Sequence, residues 1–309
     1  QAEDGIRDRS PSRGLGDVYK RQVLFSLPRN MQWAPFPDSS PLKKLYPNGY
    51  WCADQSCLLN AVYTLGENHK NLYPGVKRPG VQATKEIIEN ILGLKINYWA
   101  MVDLKGFKGL IDAVGGITLD VAKKVPIGGG LNLETGRKYP ITGYIGPGKD
   151  LHLDGYHALW FARSREGSTD YERMARQKCV LNAMVKQLNP LNVVTKFNEI
   201  AAAGEEIVAT DLPSSQIGTM VDLAARGKGL PIASVSFAPP LILPVKPDFP
   251  KIRRIVTETI AAAEAAGTST EKPSASPSVT GTATAKPSAS ASTVQRQTDD
   301  LDSVCKVSS

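Results

Sequence analysis

Residues 96–121 read INYWAMVDLKGFKGLIDAVGGITLDV, and this stretch decides the fold class. The outer segments INYWAMVD and ITLDV are rich in β-branched and aromatic residues, which favour strands. The segment between them is predicted to be a helix that ends at Gly115 and Gly116. The resulting β-α-β order predicts an α/β protein in which helices pack on a sheet.

The residues before this stretch predict a strand, a long loop and two helices. VLFSLPRN, residues 23–30, is predicted to be a buried strand followed by a loop. Residues 31–57 are rich in Pro, Gly, Asn and Asp, so they predict a long surface loop, which a bond between Cys52 and Cys57 would pin. CLLNAVYTLGENH predicts a short helix, and residues 78–94 carry apolar side chains at helical spacing.

The residues after this stretch alternate between strands and helices. Residues 126–155 are rich in glycine and predict a hairpin or loop, but no Gly-Lys-Ser/Thr follows the triple glycine, so a phosphate loop is not expected. Asp154 is a predicted N-cap for a short helix, and a longer helix is predicted over 171–188. A late strand lies in 230–243 and a closing helix in 248–267.

The two ends differ in composition from the middle. Residues 1–22 have no periodicity, and their last six, DVYKRQ, are encoded by GATGTGTATAAGAGACAG, which resembles the transposase ends used in sequencing libraries. They are predicted to be a translated adapter, with a natural disordered leader as the alternative. One domain is predicted over 23–245, a helix over 246–266, a disordered Ser/Thr/Pro-rich linker over 267–298 and a tail over 299–309.

The charge and the cysteines restrict the partners and the compartment. There are 37 Lys and Arg against 30 Asp and Glu, a net charge of +7. This favours nucleic acid, phospholipid head groups or phosphorylated sugars, and the charge alone does not choose among them. Disulfides in an oxidising compartment are favoured over zinc, and reduced thiols are the alternative. The cysteines in question are Cys52, Cys57, Cys179 and Cys305.

The segment ARSREGSTDYERMARQ, residues 162–177, contains four arginines and three carboxylates between two apolar stretches. The core-facing side of the following helix is predicted to carry Val180, Leu181, Met184 and Leu188. Counting back from it by threes and fours reaches Arg173, Arg176 and Gln177. These side chains are therefore predicted to project into a pocket.

Arg163 and Arg165 flank the same pocket if the loop between the helices folds back. Asp170 is the expected N-cap, and the N–H groups of that helix start add positive potential. Guanidinium groups stay charged and bind phosphate oxygens in pairs, so the segment predicts a buried pyrophosphate site. Lys178 and Lys186 lie at other angles and are predicted to be solvated.

A structural salt-bridge network is the alternative for these arginines, with Asp170, Glu166 and Glu172 as partners. Arg29 is a further phosphate-binding candidate, because it directly follows a predicted buried strand, and ligands collect at such strand ends in α/β sheets.

Five segments occur in the order found in the LytR-CpsA-Psr family of bacterial cell-envelope enzymes, which this chain resembles over roughly residues 23–245. They are SLPRN, LLNAVYTLG, INYWAMVDLKGFKGLIDAVGGITLDV, LDGYHALWFARSR and DYERMARQ. The late strand and the Ser/Thr/Pro-rich tail are typical of actinobacterial members.

The resemblance implies one catalytic domain with a central mixed β-sheet flanked by helices. It implies a membrane-anchored enzyme on the extracytoplasmic face that moves a glycopolymer from a polyprenyl-pyrophosphate carrier to peptidoglycan. The product is a phosphodiester, and polyprenyl phosphate is released. The polymer could be teichoic acid, capsule or arabinogalactan. The family's pyrophosphate-binding residues correspond to Arg29, Arg163, Arg165, Arg173 and Arg176, with Gln177 beside them. Of these, Arg29, Arg173 and Arg176 are the catalytic candidates.

The chain departs from the family pattern in two ways. Asn30 stands where the family usually has aspartate, which weakens an acid–base role there. The family's first strand, its transmembrane helix and the carboxylates that help to hold Mg²⁺ or Mn²⁺ are expected upstream of VLFSLPRN. The intact parent is therefore predicted to be active, and weak binding and lost turnover are expected for this chain.

Three other functions are alternatives to transfer. A transcriptional regulator is disfavoured because no helix-turn-helix with a basic recognition helix is evident, and nucleic acid is not an expected partner. A pyrophosphatase would use the same pocket with water as acceptor. A pure lipid-binding module would bind the carrier without chemistry.

Overall fold

The structure, a computed structural model, describes residues 22–132, 135–187, 208–227, 230, 232–268 and 299–300. The predicted mixed α/β fold is confirmed. The seven α-helices of this part of the chain are α1 (Val62–Asn68), α2 (Pro79–Leu92), α3 (Leu104–Ala113), α4 (Gly155–Arg163), α5 (Asp170–Gln187), α6 (Ser214–Gly227) and α7 (Phe249–Thr268). Short 3₁₀ turns lie at Pro41–Lys44, Leu59–Ala61 and Lys70–Leu72.

The strands pair in four small sheets within the described residues. The strands are β1 (Gln22–Ser26), β2 (Ala100–Val102), β3 (Ile117–Val121), β4 (Val125–Gly128), β5 (Ile141–Ile145), β6 (Gly148–Leu153), β7 (Val208–Thr210), β8 (Ile232–Ser236) and β9 (Asp299–Asp300). β8 pairs with β1 in parallel and with β9 in antiparallel. The antiparallel pairs β2–β7, β3–β6 and β4–β5 complete the set.

The predicted order β2-α3-β3 is present, but its two strands belong to different sheets. β2 is also shorter than predicted, with only three residues in the strand. β3 pairs instead with β6 in antiparallel. The β4–β5 hairpin lies between the two strands in sequence. The mixed pairing therefore arises from hairpins and from the parallel β1–β8 contact.

Two apolar clusters hold these elements together. The first joins β1 and β8 to α1, α2 and α7, and the second joins β3 to β6 with α3, α4 and α5. Helix α2 ends at Gly93, whose φ of +70° is the left-handed conformation that glycine adopts readily. Ile87 and Ile91 of this helix are fully buried, as their helical spacing predicts.

The start of α4 is fixed by a close contact with α3. The predicted N-cap at Asp154 is confirmed, because its carboxylate accepts a hydrogen bond from the His157 N–H (2.8 Å). The Gly155 N–H donates to Asp112 on α3 (2.6 Å). A Cβ at Gly155 would lie 2.2 Å from a backbone carbonyl oxygen of α3, so only glycine fits. This contact directs α4 towards the arginine-rich segment.

The long loop 31–57 is pinned as predicted. A disulfide joins Cys52 and Cys57, whose Cα atoms are 5.2 Å apart. Trp33 and Trp51 stack beside it with ring centroids 4.8 Å apart. The expectation that the whole segment lies on the surface is wrong, because Met31, Phe36 and Leu42 are fully buried in the first apolar cluster.

The remaining predictions concern Cys179 and the ends of the chain. Cys179 is also disulfide-bonded. The predictions for Cys305, for residues 1–21 and for the linker from residue 269 onward lie outside the described residues. α7 continues to Thr268, slightly beyond its predicted end. No described helix is long and apolar enough to cross a membrane.

Replacing both Cys52 and Cys57 by serine is expected to lower the free energy of unfolding by about 2 kcal/mol, because the disulfide restricts the unfolded chain. Urea denaturation followed by circular dichroism measures the change. Ser56→Ala is the control, since it keeps the disulfide and removes only an exposed hydrogen bond to Asp54 (2.8 Å). Equal stabilities of the double variant and the control would contradict the expectation.

Candidate active site

An open cavity of about 820 Å³ is lined by residues from both halves of the fold. The end of β1, the β4–β5 hairpin, the end of α4 and one side of α5 form its wall. The charged side chains that line it are Arg29, Arg163, Arg165, Arg173, Lys178, Glu166 and Asp170. Five are positive and two are negative, so the charged lining carries a net charge of +3.

Arg173 is the most buried arginine of this cluster, with 6% of its surface exposed. Its Nη1 lies 2.5 Å from Oδ1 of Asp170, whose Oδ2 is 3.5 Å from Nε of Arg29. Partial burial raises the pKa of Asp170, but the charges of Arg173 and Arg29 outweigh it and hold the pKa below its ordinary value. One ionised carboxylate therefore bridges arginines from β1 and α5.

Arg163, the last residue of α4, and Arg165, in the loop that follows, approach the same space. Burial, together with the charges of Arg29 and Arg173, lowers the pKa of Arg165. The guanidinium nevertheless stays protonated, because its ordinary pKa is far above neutrality. The Arg163 guanidinium lies over the Trp160 ring, 4.9 Å from its centroid, as a cation–π contact. Like charges are thus held close together here.

The N-cap of α5 is Thr169, so the expectation that Asp170 has this role is wrong. The Thr169 hydroxyl accepts a hydrogen bond from the Glu172 N–H (3.2 Å), and the Glu172 carboxylate accepts one from the Thr169 N–H (2.8 Å). These reciprocal bonds form a capping box. Asp170 is the first residue of the helix, and its carboxylate is directed to the arginines instead.

Arg176 is not one of the described residues that line the cavity, so the expectation that it projects into the pocket is wrong. Its Nε donates to the Phe161 carbonyl (2.7 Å), and its Nη2 donates to the Ser164 carbonyl and to the Ser168 hydroxyl (3.2 Å). Burial lowers its pKa. Arg176 therefore satisfies carbonyl groups at the end of α4 and positions the arginine-bearing loop.

Helix α5 presents its cavity-lining residues at spacings of four. Arg173, Gln177 and Leu181 form one such row, and Met174 and Lys178 form the row beside it. The buried core side of the same helix carries Cys179, Val180 and Ala183. Arg176 belongs to the core side, which explains its contacts with the α4 backbone. The sequence prediction counted back from the core-facing residues and so assigned residues of both sides, Arg173, Arg176 and Gln177, to one pocket.

Two predictions on this helix are corrected by the same geometry. Lys178, expected to be solvated, is 8% exposed and lines the cavity. Leu181, expected in the core, is 39% exposed and lines the cavity. Lys186 is exposed as predicted, and Leu188 lies outside the described residues. Lys178 lies four residues after Met174, another cavity residue, but this spacing identifies it only once the cavity side of α5 is known.

The β4–β5 hairpin is held to the arginine loop by Glu166. Its Oε1 lies 3.2 Å from Nζ of Lys138, and its Oε2 accepts from the Gly130 N–H (3.3 Å). These contacts, first of all the hydrogen bond from Lys138, lower the pKa of Glu166. Glu172 similarly pairs with Lys123 (3.1 Å). Asp170, Glu166 and Glu172 are the three carboxylates predicted to pair with the arginines. In the ion pairs of the described residues, only Asp170 does so.

Much of the remaining wall is apolar. Its larger apolar and aromatic members are Leu24, Leu27, Leu104, Leu131, Tyr139, Trp160, Tyr171, Met174 and Leu181. Asn30 and Gln177 add amide groups to the wall. Positive charge beside apolar surface suits a ligand that combines phosphate groups with a hydrocarbon part.

The described cavity residues do not fit Mg²⁺ or Mn²⁺, the cofactors that the resemblance implies. These ions prefer oxygen ligands, carboxylates above all. The two carboxylates that line the cavity are engaged by cations, Glu166 by Lys138 and Asp170 by Arg173. No group of three or more His, Cys, Asp or Glu occurs in the described part of the chain. No step is therefore assigned to a metal.

The fold and the cavity define a mixed α/β protein with a cationic, partly apolar binding site. The chain belongs to the LytR-CpsA-Psr family, because the LytR_cpsA_psr family model matches residues 20–239.

Individual relatives match over shorter stretches. A polyisoprenyl-teichoic acid–peptidoglycan teichoic acid transferase TagU of Bacillus cereus is 29% identical over 143 residues, 46% of this chain and 43% of the relative. The corresponding transferase TagV of Bacillus subtilis is 32% identical over 135 residues, 43% of this chain and 33% of the relative. The chain thus spans less than half the length of these curated relatives.

Solved structures of similar fold include the crystal structure of B. subtilis TagV. It has a TM-score of 0.49 at 24% identity, with 78% of this chain and 82% of that chain covered.

Asp170→Asn is expected to lower the free energy of unfolding by about 1–2 kcal/mol at neutral pH, because buried Arg173 loses its charged partner. The figure is discounted from that of a fully buried pair since the Asp170 side chain is 37% exposed. The lowered pKa means that the pair stabilises the fold above the unfolded pKa and is lost as pH falls through the folded pKa. In urea denaturation, the difference in free energy of unfolding between wild type and Asp170→Asn should therefore shrink as pH falls through the folded pKa of Asp170, below its ordinary range.

Asp222→Asn is the matched control, since it removes an exposed pair with Arg226 (2.8 Å). It should change stability by less than about 0.5 kcal/mol. A difference between wild type and Asp170→Asn that stays constant with pH would show that the charge of Asp170 is not what stabilises Arg173.

Arg176→Lys is expected to lower the free energy of unfolding by about 1–3 kcal/mol, because a single ammonium cannot replace the forked donation to two carbonyl groups. Urea denaturation measures the loss. Arg254→Lys, at an exposed position with a weak contact to Glu258 (4.0 Å), should have little effect. Unchanged stability of Arg176→Lys, together with lost binding of inorganic pyrophosphate in calorimetry, would place Arg176 on the ligand instead.

Proposed function

We propose that the protein transfers a glycopolymer from a polyprenyl-pyrophosphate carrier to peptidoglycan. A muramic acid hydroxyl becomes joined to the polymer through a phosphodiester, and polyprenyl phosphate is released. Family membership and the activity named for the Bacillus relatives support this proposal. The observation that carries it is the convergence of five cationic side chains beside an apolar wall in one cavity.

The arginines differ in how readily they can grip a diphosphate. Arg173 is buried and is held by Asp170 at 2.5 Å, so it is a fixed donor. Arg29 is more exposed, and its contact with Asp170 is longer, at 3.5 Å. A phosphate oxygen can replace Asp170 at Arg29 while the pair with Arg173 stays intact. Arg163 from the end of α4 and Arg165 from the following loop complete the grip, and Lys178 adds a point charge from α5.

The chemistry is a phosphoryl transfer. The acceptor oxygen forms a bond to the phosphorus that carries the polymer, and the bond from this phosphorus to the bridging oxygen breaks. The bridging oxygen leaves with the polyprenyl phosphate and keeps the electron pair, and the hydroxyl proton is released. The leaving phosphate gains negative charge, which positioned guanidinium groups stabilise. The apolar wall would take the first part of the lipid next to its phosphates.

The polymer and the location are part of this proposal. Teichoic acid is the polymer named for the relatives. Arabinogalactan and capsular polysaccharide have the same phosphate linkage chemistry at the carrier. The Cys52–Cys57 disulfide supports work at the extracytoplasmic face of the membrane, since disulfides persist in oxidising compartments. A requirement for Mg²⁺ or Mn²⁺ stays a prediction for the intact parent.

In the intact parent that the family resemblance implies, Arg165→Gln is expected to lower transfer by about 100-fold or more, because one positioned donor to the transferred group is lost. Polyprenyl phosphate released from a polyprenyl-pyrophosphate glycan is measured by chromatography, with and without peptidoglycan. Arg254→Gln, outside the cavity, should retain wild-type turnover. Wild-type activity in Arg165→Gln would remove this residue from the mechanism.

The same assay separates transfer from the alternatives. Transfer requires peptidoglycan and gives a polymer-linked product. Hydrolysis proceeds without peptidoglycan and gives a polymer ending in a phosphate monoester. Binding of the carrier with no product under either condition would identify a lipid-binding module.

A further inference from the structure

Trp33 has an unusual backbone conformation far from any helix end. Its φ of +56° is left-handed, where bulky side chains are rare. Its N–H donates to the Tyr50 carbonyl (3.1 Å), and the Tyr50 N–H donates to the Ala34 carbonyl (2.8 Å). A Cβ at Gly49 would lie 2.5 Å from the Trp33 carbonyl oxygen. Such a conformation persists only where the surroundings enforce it, and it often marks a functional position.

This backbone presents an exposed pair of stacked rings. Trp33 and Trp51 are 37% and 40% exposed, and their ring planes are within 13° of each other. The Cys52–Cys57 disulfide follows Trp51 directly and restrains it. Two ordered indoles therefore remain in contact with water, although burial of either would be favourable.

Other exposed apolar side chains come close to this pair in the fold. The Gln32 N–H donates to the Pro244 carbonyl (2.9 Å), which brings residues 243–245 beside Trp33. Leu45 precedes Tyr46, whose ring contacts Tyr50 next to Trp51. We name this set the tryptophan surface: Trp33, Leu45, Trp51, Leu243 and Val245, of which the last two are 57% and 58% exposed.

We propose that the tryptophan surface docks the protein on an anionic phospholipid membrane. Indole rings favour the head-group layer, because they combine an apolar body with one N–H donor. Leu243 and Val245 add aliphatic area, where a sugar-binding platform would place hydrogen-bonding groups. Lys44 and Lys246, next to Leu45 and Val245 in sequence, are exposed and would complement the negative charge of lipid head groups.

Docking would also place the cavity near its substrate, an inference that rests on the proposed function. Arg29 lines the cavity and lies four residues before Trp33 in the chain. The phosphates of a lipid-linked carrier lie in the head-group layer. A protein seated on its tryptophan surface would therefore hold Arg29 close to that layer.

Vesicle sedimentation tests the proposal with the full chain. The probe is a vesicle of phosphatidylglycerol and phosphatidylcholine without any polyprenyl lipid. Wild type is expected to bind, and Trp33→Ser/Trp51→Ser should bind about tenfold more weakly or less. Leu243→Ser/Val245→Ser lies outside the left-handed turn and should also weaken binding. Lys44→Gln/Lys246→Gln should lose the preference for anionic vesicles over phosphatidylcholine alone.

Val76→Ser/Tyr98→Ser is the matched control, because these side chains are 38% and 39% exposed elsewhere on the chain. It should bind vesicles as wild type does. Absence of wild-type binding, or equal loss in the control, would overturn the proposal. A tryptophan variant that binds vesicles as wild type does but no longer binds soluble peptidoglycan fragments would also overturn the proposal. That result would identify a sugar-binding platform.

The test is separate from that of the proposed function. Transfer from a detergent-solubilised carrier should be retained by the tryptophan variant, because its cavity is intact. Vesicle binding by this chain, together with no transfer by the intact parent that the family resemblance implies, would refute the proposed function and leave the docking surface standing.

Discussion

Repulsion among like charges is the constraint on which the arrangement of the cavity depends. Arg29, Arg165 and Arg173 are close enough for their charges to lower the pKa of Arg165. The main compensation among the described residues is the carboxylate of Asp170, which contacts Arg173 and Arg29. A cluster of this kind is stable only if its backbone is held firmly from outside, because the guanidinium groups repel one another.

The structure supplies that support with groups that do not face the cavity. Arg176 donates to carbonyl groups at the end of α4, and the Thr169–Glu172 capping box fixes the start of α5. Gly155 lets α4 approach α3 closely. Arginine thus serves two purposes within a few residues of sequence. Arg176 stabilises the loop, and Arg173 is left to face a ligand.

The sequence predicted most helices and strands because their apolar spacing and terminal residues are local signals. The bounds of α2 and the start of α5 agree closely with the predicted ranges. The pairing of β2 and β3 with different partners could not be predicted, since it depends on contacts between distant segments. The cavity arginines could be listed from their spacing. The sequence could not show that Arg176 belongs to the core side of α5 and Lys178 to its cavity side, because both sides are apolar in part. The solvent exposure of Leu181 distinguishes the two sides only once α5 is packed in the fold.

The contact of Glu166 with Lys138 and Gly130 joins two rims of the cavity that are distant in sequence. The loop that bears Arg165, directly after Arg163 at the end of α4, is attached by it to the β4–β5 hairpin. A sequence change in the hairpin can therefore shift this loop without altering any arginine of the cavity.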